Sequence, residues 1–256
     1  MKERSINKLV EAALAIEEQE AIEAGAIGYV ARALIQATMP HRAQKENSFV
    51  RRNGKFSFAI TAHPDIGLPY GTIPRLLLAW ISTEAVKTKE RQLTLGASLS
   101  EFMRKIDLIP SGGRWGTITR LKSQMERLFT SSISCTYTNG NQLAIKNISP
   151  VSIANLWWSP KEPNQTTLFE STLTLNEDFF NEIVSRPVPI DMRALKAIKG
   201  SALAIDLYCW LTYRMSYLKQ KTTIPWVALQ AQFGSNYAND KKGRYEFKRK
   251  LGEQLN

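Results

Sequence analysis

The sequence predicts an α+β protein of tandem winged-helix domains, the second lacking its C-terminal wing. Three observations lead there. From Pro74 to Ile148 the periodicities run helix, short strand, helix, turn, helix, hairpin, which is the winged-helix order. The order restarts at Ser201, and the step from helix tryptophan to strand is 14 residues in both halves, Trp80 to Thr94 and Trp210 to Ile224. The third observation is charge. Lys and Arg number 34 against 23 Asp and Glu, a net charge of +11, and a chain this basic calls for a polyanionic partner, nucleic acid first. The expected division is an N-terminal helical segment (1–40), a first winged-helix domain with extra strands (41–186) and a second, incomplete one (187–256).

Each element has its local reason. Residues 5–37 hold few turn formers apart from Gly25 and Gly28 and read as helix, until Pro40, which cannot continue one. Lys55 to Thr61 alternates as a strand does. Pro64 to Gly71 is turn-rich, and Pro74 suits the first turn of a helix from Arg75 to about Lys89, with Leu76, Leu77, Trp80, Ile81 and Ala85 at helical spacing. Gln92–Gly96 is a short strand. Ser98-Leu99-Ser100-Glu101 fits a capping box: the Ser98 hydroxyl takes the Glu101 amide and the Glu101 carboxylate returns to the Ser98 amide. Leu99, Phe102, Met103 and Ile106 form that helix's apolar face, and Pro110 to Gly113 breaks it.

A third helix runs from about Trp115 to Phe129, with Ile118, Leu121, Met125 and Leu128 in a narrow arc. The opposite arc carries Gly116, Thr119, Arg120, Ser123 and Arg127, with Lys122 on its flank and no carboxylate near its centre. Such a surface suits a major groove, where Arg reads guanine and small residues permit close approach. Ser132–Thr138 and Gln142–Ile148, joined by Asn139-Gly140-Asn141, form a hairpin. Strands at Ile153–Trp158 and Thr167–Leu175, a helix near Glu177–Val184 and a Pro187–Pro189 break, read as an interdomain joint, come next. Ser201–Leu218 is a largely buried helix, Thr222–Ile224 a strand, and Pro225 opens a helix with Trp226, Leu229 and Phe233 that Gly234 ends. The last helix, from about Lys241, buries Phe247, Leu251 and Leu255 and turns Arg249 outward. A wing is expected after it, and the sequence stops at Asn256.

Composition excludes other classes. A 43% hydrophobic, 22% charged chain is neither collagen, disordered tail nor disulfide miniprotein. Cys135 and Cys209 are too few for a thiolate zinc site. The sequence shows no membrane-spanning run and no signal peptide, so a cytoplasmic protein without membrane contact is expected. The two histidines, His41 and His63, are far apart and read as turn or capping residues. Walker, zincin and nucleophile-elbow motifs are missing. Asp65, Asp107, Asp191 and Asp206 read as caps, turns or ion pairs. A non-enzyme without cofactor or metal is expected.

Charge is uneven: residues 1–24 carry three basic side chains and six Glu, leaving +14 on the remainder. Its basic groups cluster at residues 42–55, 114–127 and 241–250. Ala31-Arg32-Ala33-Leu34-Ile35-Gln36-Ala37-Thr38-Met39-Pro40-His41, Pro64-Asp65-Ile66-Gly67-Leu68-Pro69-Tyr70-Gly71, Ile73 to Trp80, Ser111-Gly112-Gly113-Arg114-Trp115-Gly116 and Ile224-Pro225-Trp226 resemble the plasmid-encoded RepA family of replication initiators, over nearly the whole chain from about residue 28. The early C-terminus departs from that family. The resemblance implies binding of double-stranded repeats (iterons) at a plasmid origin, melting of adjacent DNA, and recruitment of the host replicative helicase, often with the host initiator. It leaves monomer and homodimer open. On this reading Arg120, Arg127 and Arg249 address base edges, with Thr119 and Ser123 beside them. Arg114, Lys122, Lys248 and Lys250 meet phosphates, with Arg244 in the same basic cluster. Arg51, Arg52 and Lys55 form an accessory phosphate patch, and Trp115 and Trp226 anchor the core. The rival readings are a winged-helix transcriptional regulator and a DNA-nicking enzyme.

Overall fold

Helix α1 (Thr72–Thr88) organises the molecule because its apolar side chains point in every direction. Twelve of its 17 residues are buried, and a helix apolar all round must be surrounded by other elements. It opens after Gly71, whose φ of 77° suits glycine, and stops at Lys89 in the left-handed region. The computed structural model describes residues 27–255 apart from 32–34, 36–37, 54, 140–141 and 235. Among them the fold is mixed α/β, with eight helices and three antiparallel sheets.

One side of α1 enters the main core through Leu77, Trp80 and Ile81. There it meets α2 (Leu99–Lys105), α3 (Thr117–Phe129) and α4 (Glu177–Ser185), together with a sheet in the order β4 (Gln92–Gly96), β8 (Ser171–Leu175), β7 (Val151–Asn155). Phe102 lies between Trp80, edge-on at 5.1 Å, and Trp158, stacked at 5.2 Å. A four-stranded sheet in the order β2 (Ser48–Asn53), β3 (Phe56–Thr61), β5 (Ser132–Asn139), β6 (Gln142–Ile148) adds Phe58, Ile60 and Ile133. On its other side α1 supplies Leu76 and Ala79 to a second cluster. This holds Val30 of β1 (Ile27–Ala31), Val188 and Ile190 of β9 (Pro187–Asp191), Leu195 of α5 (Met192–Ile198) and Ile205 of α6 (Ala202–Tyr217). A third cluster joins Leu207 of α6 to Phe233 of α7 (Trp226–Phe233) and to Phe247 and Leu251 of α8 (Lys241–Leu255).

The predicted helices of residues 72–255 are all present, with ends shifted by a few residues. Several expectations are corrected. The helix expected over 5–37 lies mostly outside the described residues, and 27–31 is a strand paired with β9, Ile27 opposite Asp191. Pro187–Pro189 belongs to that strand and is not a break. A strand with a single partner tolerates proline because one edge needs no N–H. Strand β2 was not foreseen, whereas Thr222–Ile224 forms no strand, so the second half lacks the element that made its spacing match the first. The hairpin turn at 140–141 lies outside the described residues. Its strands join β2–β3, while β4 pairs with β8. Half of the capping box forms: the Ser98 hydroxyl accepts from the Glu101 amide at 3.2 Å, but the Glu101 carboxylate accepts from Ala97 N at 3.0 Å. Leu255 is 55% exposed rather than buried.

Candidate nucleic-acid interface

The start of α3 is built by the run Ser111–Gly116. Gly116 precedes the helix and offers no side-chain cap, so the cap comes from a reciprocal pair. Ser111 N donates to Thr117 Oγ1 at 2.9 Å and Thr117 N donates to Ser111 Oγ at 3.0 Å. Thr119 Oγ1 donates to Gly113 O at 2.9 Å, closing the loop over the helix. Gly113 sits at φ 86°, and a Cβ on Gly116 would lie 2.2 Å from Ser111 O, so the turn needs both glycines. The tight turn pushes the two residues between them outward. Trp115 is 80% exposed with the Arg114 guanidinium 5.0 Å over its ring, so it is not a core anchor.

Past this loop, Thr119, Arg120 and Lys122 are exposed on one side of α3, while Ile118, Leu121, Met125 and Leu128 fill the core. The Arg120 side chain has no hydrogen bond or ion pair among the described residues, its backbone N–H donating to Gly116 O at 3.1 Å. Lys122 lies 3.9 Å from Glu126 one turn on, an exposed pair that holds it loosely. Ser123 and Arg127 are half-buried. Arg127 donates to Leu68 O at 3.1 Å and to Ser123 Oγ at 3.2 Å, and its guanidinium lies 5.6 Å over the Tyr70 ring. Gly67, at φ 83°, makes room for it: a Cβ there would be 2.6 Å from Arg127 Nη1. Gln124 accepts from Tyr70 N at 2.9 Å. The loop at residues 64–71 thus docks on α3 through Gln124 and Arg127.

The second basic helix, α8, is set by a close approach at Gly243, where a Cβ would lie 2.2 Å from Ala238 O. Asp240 Oδ1 accepts from Gly243 N at 2.6 Å and caps the first turn. Phe247 and Leu251 face the core, and Lys248, Arg249 and Lys250 are exposed. Each of the three has a partner: Lys248 Nζ is 5.1 Å over the Trp226 ring, and Glu253 accepts from both Arg249 and Lys250. Trp226, 39% exposed, is therefore a platform for Lys248 rather than a core anchor. Arg244 is half-buried, its Nε without a hydrogen-bond partner among the described residues.

The third group sits at the β2–β3 hairpin, and β2 packs against α7. Arg52 and Lys55 are exposed. Arg51 is half-buried beside Phe49, and burial pushes its guanidinium down to about 10 while Nε and Nη2 lack hydrogen-bond partners among the described residues. The structure brings the α3 residues onto one helix and the α8 residues onto another, in different packing clusters. Cys135 and Cys209 are buried free thiols, pushed up by burial to about 11 and about 12. Among the described residues no group of three or more His, Cys, Asp or Glu could hold a metal ion, and no helix is long and apolar enough to cross a membrane.

The family model described as plasmid encoded RepA protein matches residues 68–227, more than half of the chain. The chain belongs to the plasmid-encoded RepA family. No curated protein matches it. Two crystal structures of domains 2 and 3 of RctB share its fold. The selenomethionine form has a TM-score of 0.55 at 13% identity, covering 86% of this chain and 82% of that one. The other has a TM-score of 0.54 at 14% identity, covering 87% and 81%.

In this RepA-family chain, three of the runs that carry the family resemblance meet in space. Arg75, buried in α1, donates to Met39 O at 2.8 Å and Gly71 O at 2.6 Å, tying residues 39–41 and 64–71 together. Its Nε and Nη2 grip the two Asp206 oxygens of α6 at 2.7 Å each, and His41 Nε2 lies 2.8 Å from Oδ2. His41 is therefore a buried partner of Asp206, not a turn residue. Burial lowers its pKa, outweighing the pull of Asp206. Burial alone would raise Asp206, yet Arg75 and His41 hold it below the ordinary carboxylate range. His63 does serve a turn, accepting from Asp65 N at 3.3 Å. The Arg75 network was not legible in the sequence, although Arg75 lay within a run that carries the resemblance.

Proposed function

We propose that this chain is a plasmid replication initiator that binds origin repeats as duplex DNA, with α3 and α8 as its recognition helices. The observation that carries the reading is the outward side of α3. There Arg120 stands exposed and unpaired beside Thr119, and the glycine-built loop thrusts Arg114 forward. Arg120 addresses base edges, Arg114 and Lys122 meet phosphates, and Ser123 lies between them. Arg127 positions the 64–71 loop instead of reaching the groove. On α8, Arg249 exchanges its exposed pairing with Glu253 for the DNA, a pair of small worth in water. Lys248 and Lys250 take phosphates, and Arg52 and Lys55 extend the patch.

The order α1, β4, α2, α3, followed by the sheet β4-β8-β7, supports a winged-helix arrangement whose wing is the 156–170 loop between β7 and β8. The β5–β6 hairpin is then an addition to that core. Bound initiators melt the neighbouring DNA and recruit the host helicase in the bacterial cytoplasm, steps that need no cofactor or catalytic residue from this chain. The test is binding to an origin repeat. Arg120→Ala costs about 1–3 kcal/mol on that site and relaxes base preference, whereas Lys122→Ala weakens all sequences alike and lowers the salt slope by about 1. Unchanged binding in both variants would overturn the assignment of α3.

A further inference from the structure

A cleft of about 620 Å³ opens where the end of the β3–β5 pair faces α6 and the segment leading into α7. Its walls are aromatic. Phe56 and Tyr137 are register partners across β3 and β5 and form one side. Trp210, Tyr213 and Tyr217 of α6 form the other, with the two tyrosine rings 5.1 Å apart. The Arg214 guanidinium lies 5.4 Å over the Trp210 ring, and Thr222 and Thr223 also line the cleft, the Thr222 hydroxyl donating to Gln220 O at 3.1 Å. Among the described residues no carboxylate lines the cleft. Lys219 and Lys221, just past α6, and Lys55, just before Phe56, are exposed nearby in sequence. Tyr137 is 45% exposed and Tyr217 52%, so ring surface is left for a ligand.

Each part of this composition narrows the ligand. An apolar ligand would not need the guanidinium, and a bare phosphate would not need five rings. Flat rings with a fixed cation and no acid suit a planar aromatic group that carries a phosphate. The volume is that of a small-ligand site. We propose that the cleft binds one unpaired nucleotide unit, its base stacked on Tyr217 and Tyr137 and its phosphate held by Arg214 with the Thr223 hydroxyl. The unit comes either from a free nucleotide or from an unpaired DNA strand. The inference stands on the cleft's own geometry, so its failure leaves the duplex-binding role of α3 and α8 untouched.

The test uses the full chain and two fluorescent probes, a short oligothymidylate and an adenosine nucleotide, read by anisotropy. At least one probe binds, and Tyr217→Leu or Arg214→Gln weakens that binding about tenfold. Affinity for a duplex origin repeat stays unchanged in the same variants. Tyr137→Leu, on the opposite wall, gives a second reading should an α6 variant fail to fold. Preference for the oligomer marks an unpaired strand as the source, and preference for the mononucleotide marks a free nucleotide. The proposal is overturned if neither probe binds, if every folded variant binds as wild type, if duplex affinity falls in parallel, or if polyglutamate displaces the probe as well as the unlabelled oligomer does.

Discussion

Asp206→Asn removes one negative charge from the centre of the molecule and little else, since the side chains are nearly the same shape. Asp206 accepts from Arg75 twice at 2.7 Å and lies 2.8 Å from His41, with the Arg75 and Asp206 side chains only 4% and 10% exposed. An exposed ion pair contributes about 0–1 kcal/mol, but stripping one partner from a buried pair strands the other charge and costs about 3–5 kcal/mol. Arg75 cannot escape to water. It also bridges Met39 and Gly71, and moving it would open the joint between residues 39–41, α1 and α6. Against a total stability of about 5–15 kcal/mol, the loss is a large fraction. In urea, with a slope of about 2–3 kcal/mol per molar, the unfolding midpoint falls by about 1–2 M. Tryptophan fluorescence follows the transition. A fall of less than about 0.3 M would refute the claim that this pair locks the two halves.

The same network sets a pH dependence. His41 is held below its ordinary 6.5, chiefly by burial, so the unfolded chain binds that proton more readily and stability declines as pH falls below about 6.5. Asp206, held below its ordinary 3.8 by its partners although burial opposes them, adds a second loss as pH falls below about 4. Thermal melts from neutral pH downward check both steps, and Asp206→Asn removes the second. Gly116→Ala drives a Cβ to within 2.2 Å of Ser111 O and is expected to cost about 1–3 kcal/mol while lowering repeat affinity through the displaced Arg114 loop, read by paired melting and binding curves. Arg127→Ala loses the bond to Leu68 O and the stack on Tyr70. It lowers stability by about 1–2 kcal/mol and leaves the salt slope of DNA binding unchanged, which a salt titration resolves from the effect of Lys122→Ala.

The helices were legible because most combine apolar residues at helical spacing with a local start or stop signal. The outward display of Thr119, Arg120 and Lys122 followed from the same arithmetic. What escaped was set by partners distant in sequence. Strand β1 forms because β9 lies beside it, with Ala31 opposite Pro187, and nothing near residue 27 announces that pairing. Arg75 meets Asp206 across 131 residues of sequence. A helical wheel places Arg127 outward, but the loop at 64–71 covers that part of α3, and only Gly67 hinted at such a close approach. Trp115 and Trp226 read as core by residue type. A glycine-forced turn exposes the first, and the second lies half-open beneath Lys248.

The central claim is that this chain initiates replication from its plasmid's own origin. The most direct measurement places the origin, without its gene, on a selectable plasmid with no other replication system and supplies the chain in trans. Stable maintenance with the wild-type chain, lost in Arg120→Ala at equal protein level, is the predicted result. Failure of the wild-type chain to maintain the plasmid, or full maintenance by the Arg120→Ala chain, would contradict it.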